Sequence, residues 1–299
     1  MDTFFCKTSP KGVIRAIGED AEDYLQSQWS INLRKLKIGG VRYGLRLSTK
    51  GKVMADAYFL RVDNEEFLLV SKECEANDLL LLLKENIVAD EIEFINESEN
   101  WKLLSFWTND KSTGPIISPL EKPEKNSFLK IKSKLIFEDF RVGTNTFCVL
   151  TPKGEENNPS AQAKETDFKS LERRRIEAGL ASVPQEIGAN DLPQEGRMEI
   201  VAVDFDKGCY LGQEVMARIH AMGKVRRLVY PISWDGSQCP SLPACLFANG
   251  KKVGFVKSLF QITEKEWFGM AIIHENGIST FENEGLQIEE ISEGRIKKL

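Results

Sequence analysis

A single cysteine stands between two glycines in Lys207-Gly208-Cys209-Tyr210-Leu211-Gly212-Gln213-Glu214, and an apolar helical pattern (Val215, Met216, Ile219, Met222) follows directly. Glycine takes backbone conformations that crowd other residues, so Gly208 and Gly212 permit a tight loop carrying the thiol. If Gln213 and Glu214 open a helix, Cys209 lies just before its N-terminus and two residues from the Lys207 ammonium. Both features favour the thiolate, which is the nucleophile and the metal ligand among the forms of cysteine. Cys209 and Lys207 are therefore the candidate catalytic pair. The plain alternative is a small buried cysteine in a turn, since free cysteine is among the most buried residue types.

The remaining chemistry-bearing residues are scattered. Cys6, Cys74, Cys148, Cys239 and Cys245 form no CxxC pair, and His220 and His274 are the only histidines. This excludes a zinc-ligand pattern, a resident four-thiolate cluster and a disulfide framework, so no metal site is expected. The net charge of −5 argues against nucleic-acid binding by the surface as a whole. Locally the sign reverses: Arg218, Lys224, Arg226 and Arg227 follow one another without an acid between them, and Arg42, Arg46, Lys50 and Lys52 form a second basic cluster. Each cluster reads either as a solvated face or as an attractor of an anionic ligand.

These groups must be positioned by a soluble, well-cored chain: 299 residues, 41% hydrophobic and 28% charged. The longest apolar block, Leu79 to Leu83, is far shorter than a membrane span, and the N-terminus shows no signal pattern. A cytoplasmic protein with no membrane partner is expected. Residues 12–17 read as a strand, Glu19 to Ser30 as an amphipathic helix, and Val41 to Val70 as three antiparallel strands with turns at Lys50-Gly51-Lys52 and Asp63-Asn64-Glu65. Cys74 to Ile87 predicts a helix, Ala89 to Ile95 a strand, Lys111 to Asn126 a loop, and Lys130 to Leu150 short strands. Thr151 to Glu165 reads as a flexible connection, after which Asp167 caps a helix that Gly179 stops. Beyond Val225 short strands predominate, which predicts a small all-β terminal domain.

The cysteine octapeptide resembles the signature of the YgfZ-type branch of the folate-dependent aminomethyltransferase superfamily, whose founding enzyme is the glycine-cleavage T-protein. The likeness extends through Arg175-Ile176-Glu177-Ala178-Gly179, Asn190 to Glu195 and Gly223 to Arg227, with a weaker match over Ile17 to Gln28. The resemblance implies an α+β fold with two ferredoxin-like lobes and a C-terminal β-barrel around a central folate-binding opening. The expected division is 1–45 with 150–225 as a discontinuous first lobe, 46–149 as the second, and 226–299 as the barrel. It further implies tetrahydrofolate as cofactor, with Glu177 accepting hydrogen bonds from the pterin; an exposed ion pair with Arg173 or Arg174 is the alternative. Asp56, in the family's paired-aspartate position, is a candidate folate-binding residue, with a structural hydrogen bonder beside the turn as the alternative; the first acid of that pair is Ala55 here, which speaks against aminomethyl transfer. Arg218 and Arg226 are candidates for the glutamate tail of the folate, with RNA less favoured. The implied role is synthesis or repair of iron–sulfur clusters in client enzymes, with an indirect effect on tRNA modification. A folate-dependent aminomethyl- or methyltransferase and a non-catalytic folate-gated adaptor are the rival readings.

Overall fold

A computed structural model of the chain describes residues 2–108, 122–155, 163–263, 266–289, 291 and 293–299. The first part runs through β1 (Thr3–Thr8), β2 (Gly12–Ile17), α1 (Ala21–Gln28), β3 (Val41–Leu47), β4 (Val53–Asp63) and β5 (Glu66–Ser71). It continues with α2 (Ala76–Lys84), β6 (Glu93–Asn96), β7 (Trp101–Thr108), β8 (Phe128–Ile131), β9 (Lys134–Glu138), β10 (Thr146–Pro152) and β11 (Ala163–Glu165). Three helices follow: α3 (Phe168–Glu177), α4 (Glu199–Ala202) and α5 (Gln213–Met222). The last part holds β12 (Arg227–Trp234), β13 (Ala244–Ala248), β14 (Lys251–Thr263), β15 (Glu266–His274), α6 (Ile278–Asn283), β16 (Gln287–Ile288) and β17 (Ile296–Lys298).

Among the described residues the strands form three sheets, ordered β3-β4-β5-β2-β6, β11-β1-β7-β10-β9-β8 and β16-β13-β14-β15-β12-β17. The fold is thus α+β and rich in sheet. Residues 46–149, expected as one lobe, supply β4–β6 to the first sheet and β7–β10 to the second, and β1 of the first segment pairs with β7. The C-terminal strands are a correction to the expected barrel. They make an open six-stranded sheet whose edges touch at the isolated Leu286–Ile296 bridge, because β16 and β17 are too short for a closing ladder. Part of the loop expected over Lys111–Asn126 and part of the connection over Thr151–Glu165 lie outside the described residues.

The first sheet is covered on one face by helices. Trp29, at the end of α1, is wholly buried and meets Phe59 edge-on at 4.8 Å. Successive strand residues point to opposite faces, so the neighbours of the inward-facing Arg42 and Arg46 on β3 turn the other way, toward the second sheet. There Tyr43 and Tyr58 lie 5.1 Å apart by ring centroid, and Tyr58 stands 5.1 Å from Phe137 of β9. Burying each such ring contributes about 1.5–3 kcal/mol. The cap expected for α3 is present: the Asp167 carboxylate accepts from Ser170 N at 2.9 Å, and Gly179 (φ +70°) closes the helix.

Candidate functional site

The segment between α4 and α5 is strapped across the end of α1. Asp204 N donates to Ser30 O at 2.9 Å, and Leu211 N to Ser27 O at 3.2 Å. The Asp204 carboxylate accepts from Asn32 N and from Arg42 Nη2, both at 2.6 Å. Between these ties Lys207 turns inward. Its Nζ donates to the carbonyls of Gln26, Trp29 and Ile31 at 2.6, 2.5 and 2.7 Å. A helix end leaves carbonyls without partners, and a cation there complements the helix dipole. Burial pushes the ammonium down to about 7, opposed by Asp204, while three carbonyl acceptors hold its three protons in place. Lys207 is therefore the pin of the loop. Its three hydrogen bonds all go to the α1 region and none to Cys209.

Cys209 lies on the outside of this pinned loop and is exposed, which removes the buried-cysteine alternative. The Tyr210 ring is buried beneath, 5.0 Å from Lys207 Nζ. α5 begins at Gln213 as the sequence predicts, with Gly212 at φ +84°. A Cβ on Gly212 would stand 2.6 Å from Ser48 O, so glycine is required both for the conformation and for the close approach of the β3–β4 turn.

Asp56 and Glu177 occupy different settings. Asp56 accepts from Tyr43 Oη at 2.6 Å, Ser71 Oγ at 3.1 Å and Cys74 Sγ at 3.4 Å. Burial raises its carboxyl, partly opposed by the Tyr43 hydrogen bond. Glu177 is exposed at the end of α3 and pairs with Arg173 Nε at 2.7 Å, one of the two partners weighed for it. The chain beyond α3 leads back to Asp56: Ala181 O accepts from Arg141, whose guanidinium lies 5.2 Å from the Tyr43 ring, and Val183 O lies 3.8 Å from Cys74 Sγ. No hydrogen bond or ion pair among the described residues joins Cys209 to Asp56 or Glu177. Arg218 and Arg226 are exposed on α5 and just beyond it. Among the described residues no group of three or more His, Cys, Asp or Glu side chains could hold a metal ion. No helix among them is long and apolar enough to cross a membrane.

Sequence reasoning missed a cavity of about 840 Å³ beside the loop, lined by Asn32, Lys37, Arg42, Ser127, Phe205 and His220 among others. Phe205 and His220 stack there, with centroids 3.9 Å apart and planes inclined by 19°. Neither residue lies in a pattern that announces the contact, since a loop residue and a helix residue meet only through the strap.

The site therefore joins a thiol loop to a layered α+β scaffold, and that scaffold has known counterparts. The model of the GCVT N-terminal domain matches residues 5–107. The solved glycine cleavage system aminomethyltransferase T from Bartonella henselae superimposes over 98% of this chain and 84% of its own, with a TM-score of 0.77 at 16% identity. The fold is that of an aminomethyltransferase. An iron-sulfur cluster assembly factor IBA57 homolog, mitochondrial, of Aspergillus clavatus is 25% identical over 264 residues, covering 79% of this chain and 58% of the relative. Its counterpart in Cryptococcus neoformans is 26% identical over 244 residues, covering 74% and 64%. An uncharacterized protein of Haemophilus influenzae is 25% identical over 276 residues, covering 90% and 88%. The match thus spans less than two thirds of either fungal relative. Over its first third the chain matches the GCVT N-terminal domain, and over most of its length it is similar to proteins named as IBA57-type assembly factors.

Proposed function

We propose that this protein supports the assembly or repair of iron–sulfur clusters in client enzymes, with Cys209 as the working thiol and tetrahydrofolate as its small-molecule ligand. The observation that carries the reading is the exposed thiol on a loop fixed from below by Lys207. A cluster is the cargo of such a thiol, and a client lacking its cluster is the route by which tRNA modification would suffer indirectly. The fungal relatives named as assembly factors support the same direction.

The residues present fit a folate unevenly. Glu177 has only an exposed ion pair to give up, which is worth little in water, so its carboxylate can accept two parallel hydrogen bonds from a pterin. Asp56 has its oxygens engaged by three protein donors, and Ala55 is buried and carries no acid. This pattern favours binding over aminomethyl transfer. Bound there, a reduced folate would supply redox or one-carbon chemistry. Titration calorimetry with tetrahydrofolate tests the binding arm: Glu177→Ala is expected to weaken affinity by about 1.5–3 kcal/mol. Equal affinity for wild type and variant would remove Glu177 from the site.

A further inference from the structure

The cavity of about 840 Å³ beside the loop falls within the roughly 300–1,000 Å³ of sites for small organic ligands. Backbone ties frame it on two sides. Val41 N donates to Asn126 O and Phe128 N to Gly39 O, both at 2.8 Å, while Asp204 is fixed to Ser30, Asn32 and Arg42. It lies across β3 from Asp56. Arg42 lines the cavity, and the next residue, Tyr43, donates to Asp56 from the opposite face of the strand. Three features of the lining are left for a ligand. Asn32 Oδ1 is buried and has no hydrogen-bond partner among the described residues. The exposed His220 has one ring face covered by Phe205, and a third ring can extend that stack. Lys35 and Lys37 are exposed and make no ion pair among the described residues.

We infer that this cavity is a second ligand site, for a free purine nucleoside monophosphate. A buried acceptor without a partner calls for a donor, and the exocyclic amine of adenine or guanine supplies one to Asn32 Oδ1. The purine extends the Phe205–His220 stack, a contact that any base face makes. The single phosphate falls to Lys35 and Lys37. The charge of the lining sets the limit. Lys35, Lys37 and Arg42 stand against Glu124, Asp204 and Asp206, with Arg42 and Asp204 cancelling each other as an ion pair at 2.6 Å. Such a wall accepts one phosphate but offers no cationic track for a chain of them, so an RNA strand fits less well. The inference does not depend on the folate reading, because Asp56 lies on the other face of β3.

Calorimetry with AMP, GMP and UMP on the full chain tests this. Both purines are expected to bind at a single site per chain, about fivefold tighter than UMP, whose base has no exocyclic amine. Asn32→Ala should erase that preference. His220→Ala, a change at an exposed helix position, should weaken both purines about tenfold through loss of the stack. Saturating tetrahydrofolate should leave AMP affinity unchanged, and a short oligoadenylate should bind no tighter than AMP. No binding of either purine at millimolar concentration would overturn the inference, as would wild-type affinity in both variants. Displacement of AMP by tetrahydrofolate would overturn it by merging the two sites. Tighter binding of the oligoadenylate would overturn it in favour of RNA.

Discussion

Lys207 and Cys209 sit two residues apart and are put to opposite uses, one buried against α1 carbonyls and the other exposed. Burial pushes the Cys6, Cys74, Cys148 and Cys239 thiols up, which makes each a poorer nucleophile at neutral pH. Alkylation at limiting reagent, read by peptide mass, should therefore label Cys209 first; equal labelling of Cys239 or Cys245 would contradict this. Lys207→Met leaves three carbonyls without their donor and is expected to cost about 3 kcal/mol, with faster amide exchange over residues 204–211. Labelling of Cys209 in that variant should not slow, whereas a charge-activated thiol would slow. Cys209 was legible because its glycine bracket is local. The destination of Lys207 was not, since Gln26, Trp29 and Ile31 come to it only through the tertiary fold. Glu177 found a partner already in view, because residues four apart share a helix face.

At the scale of elements, one buried carboxylate ties the first two sheets together. Asp139, just after β9, accepts from Tyr58 Oη of β4 at 2.7 Å and from Lys72, which follows β5. Burial alone would raise the Asp139 carboxyl, but the Lys72 ammonium outweighs it and holds the group below its usual value. The stability this adds is present above the ordinary carboxylate value of about 3.9 and is lost as pH falls through the folded value. Asp139→Asn should cost about 3 kcal/mol near neutrality by leaving Lys72 partnerless. The gap to wild type should narrow in urea melts below about pH 4; a constant gap down to acid pH would count against it. Elements with local signals were readable: β2, the β3–β5 meander and the capped α3 follow alternation, turn residues and an Asp cap. The helix expected over Glu19–Ser30 ends early because Trp29 turns extended and bridges to Arg46. β11 was hidden, since Ala163-Lys164-Glu165 has no alternation and becomes a strand only by pairing with β1. The edges of the C-terminal sheet were hidden for the same reason: their contact rests on one bridge between short segments.

Over the whole molecule, an acidic chain carries an exposed thiol on a pinned loop, on a scaffold with the fold of an aminomethyltransferase. Composition revealed the two basic clusters but not that the β3–β4 turn docks on α5. The missing acid at Ala55 was legible from the sequence, and the alanine is buried on β4. The central claim is that Cys209 does the work. Its most direct test is complementation of cells lacking this protein with Cys209→Ser, measuring iron and sulfide in a purified iron–sulfur reporter enzyme alongside folate binding by the variant itself. We expect tetrahydrofolate affinity to be retained and the reporter's cluster content to fall to the level of the deletion. Full restoration of the cluster by Cys209→Ser would contradict the claim and leave the protein a folate-gated adaptor.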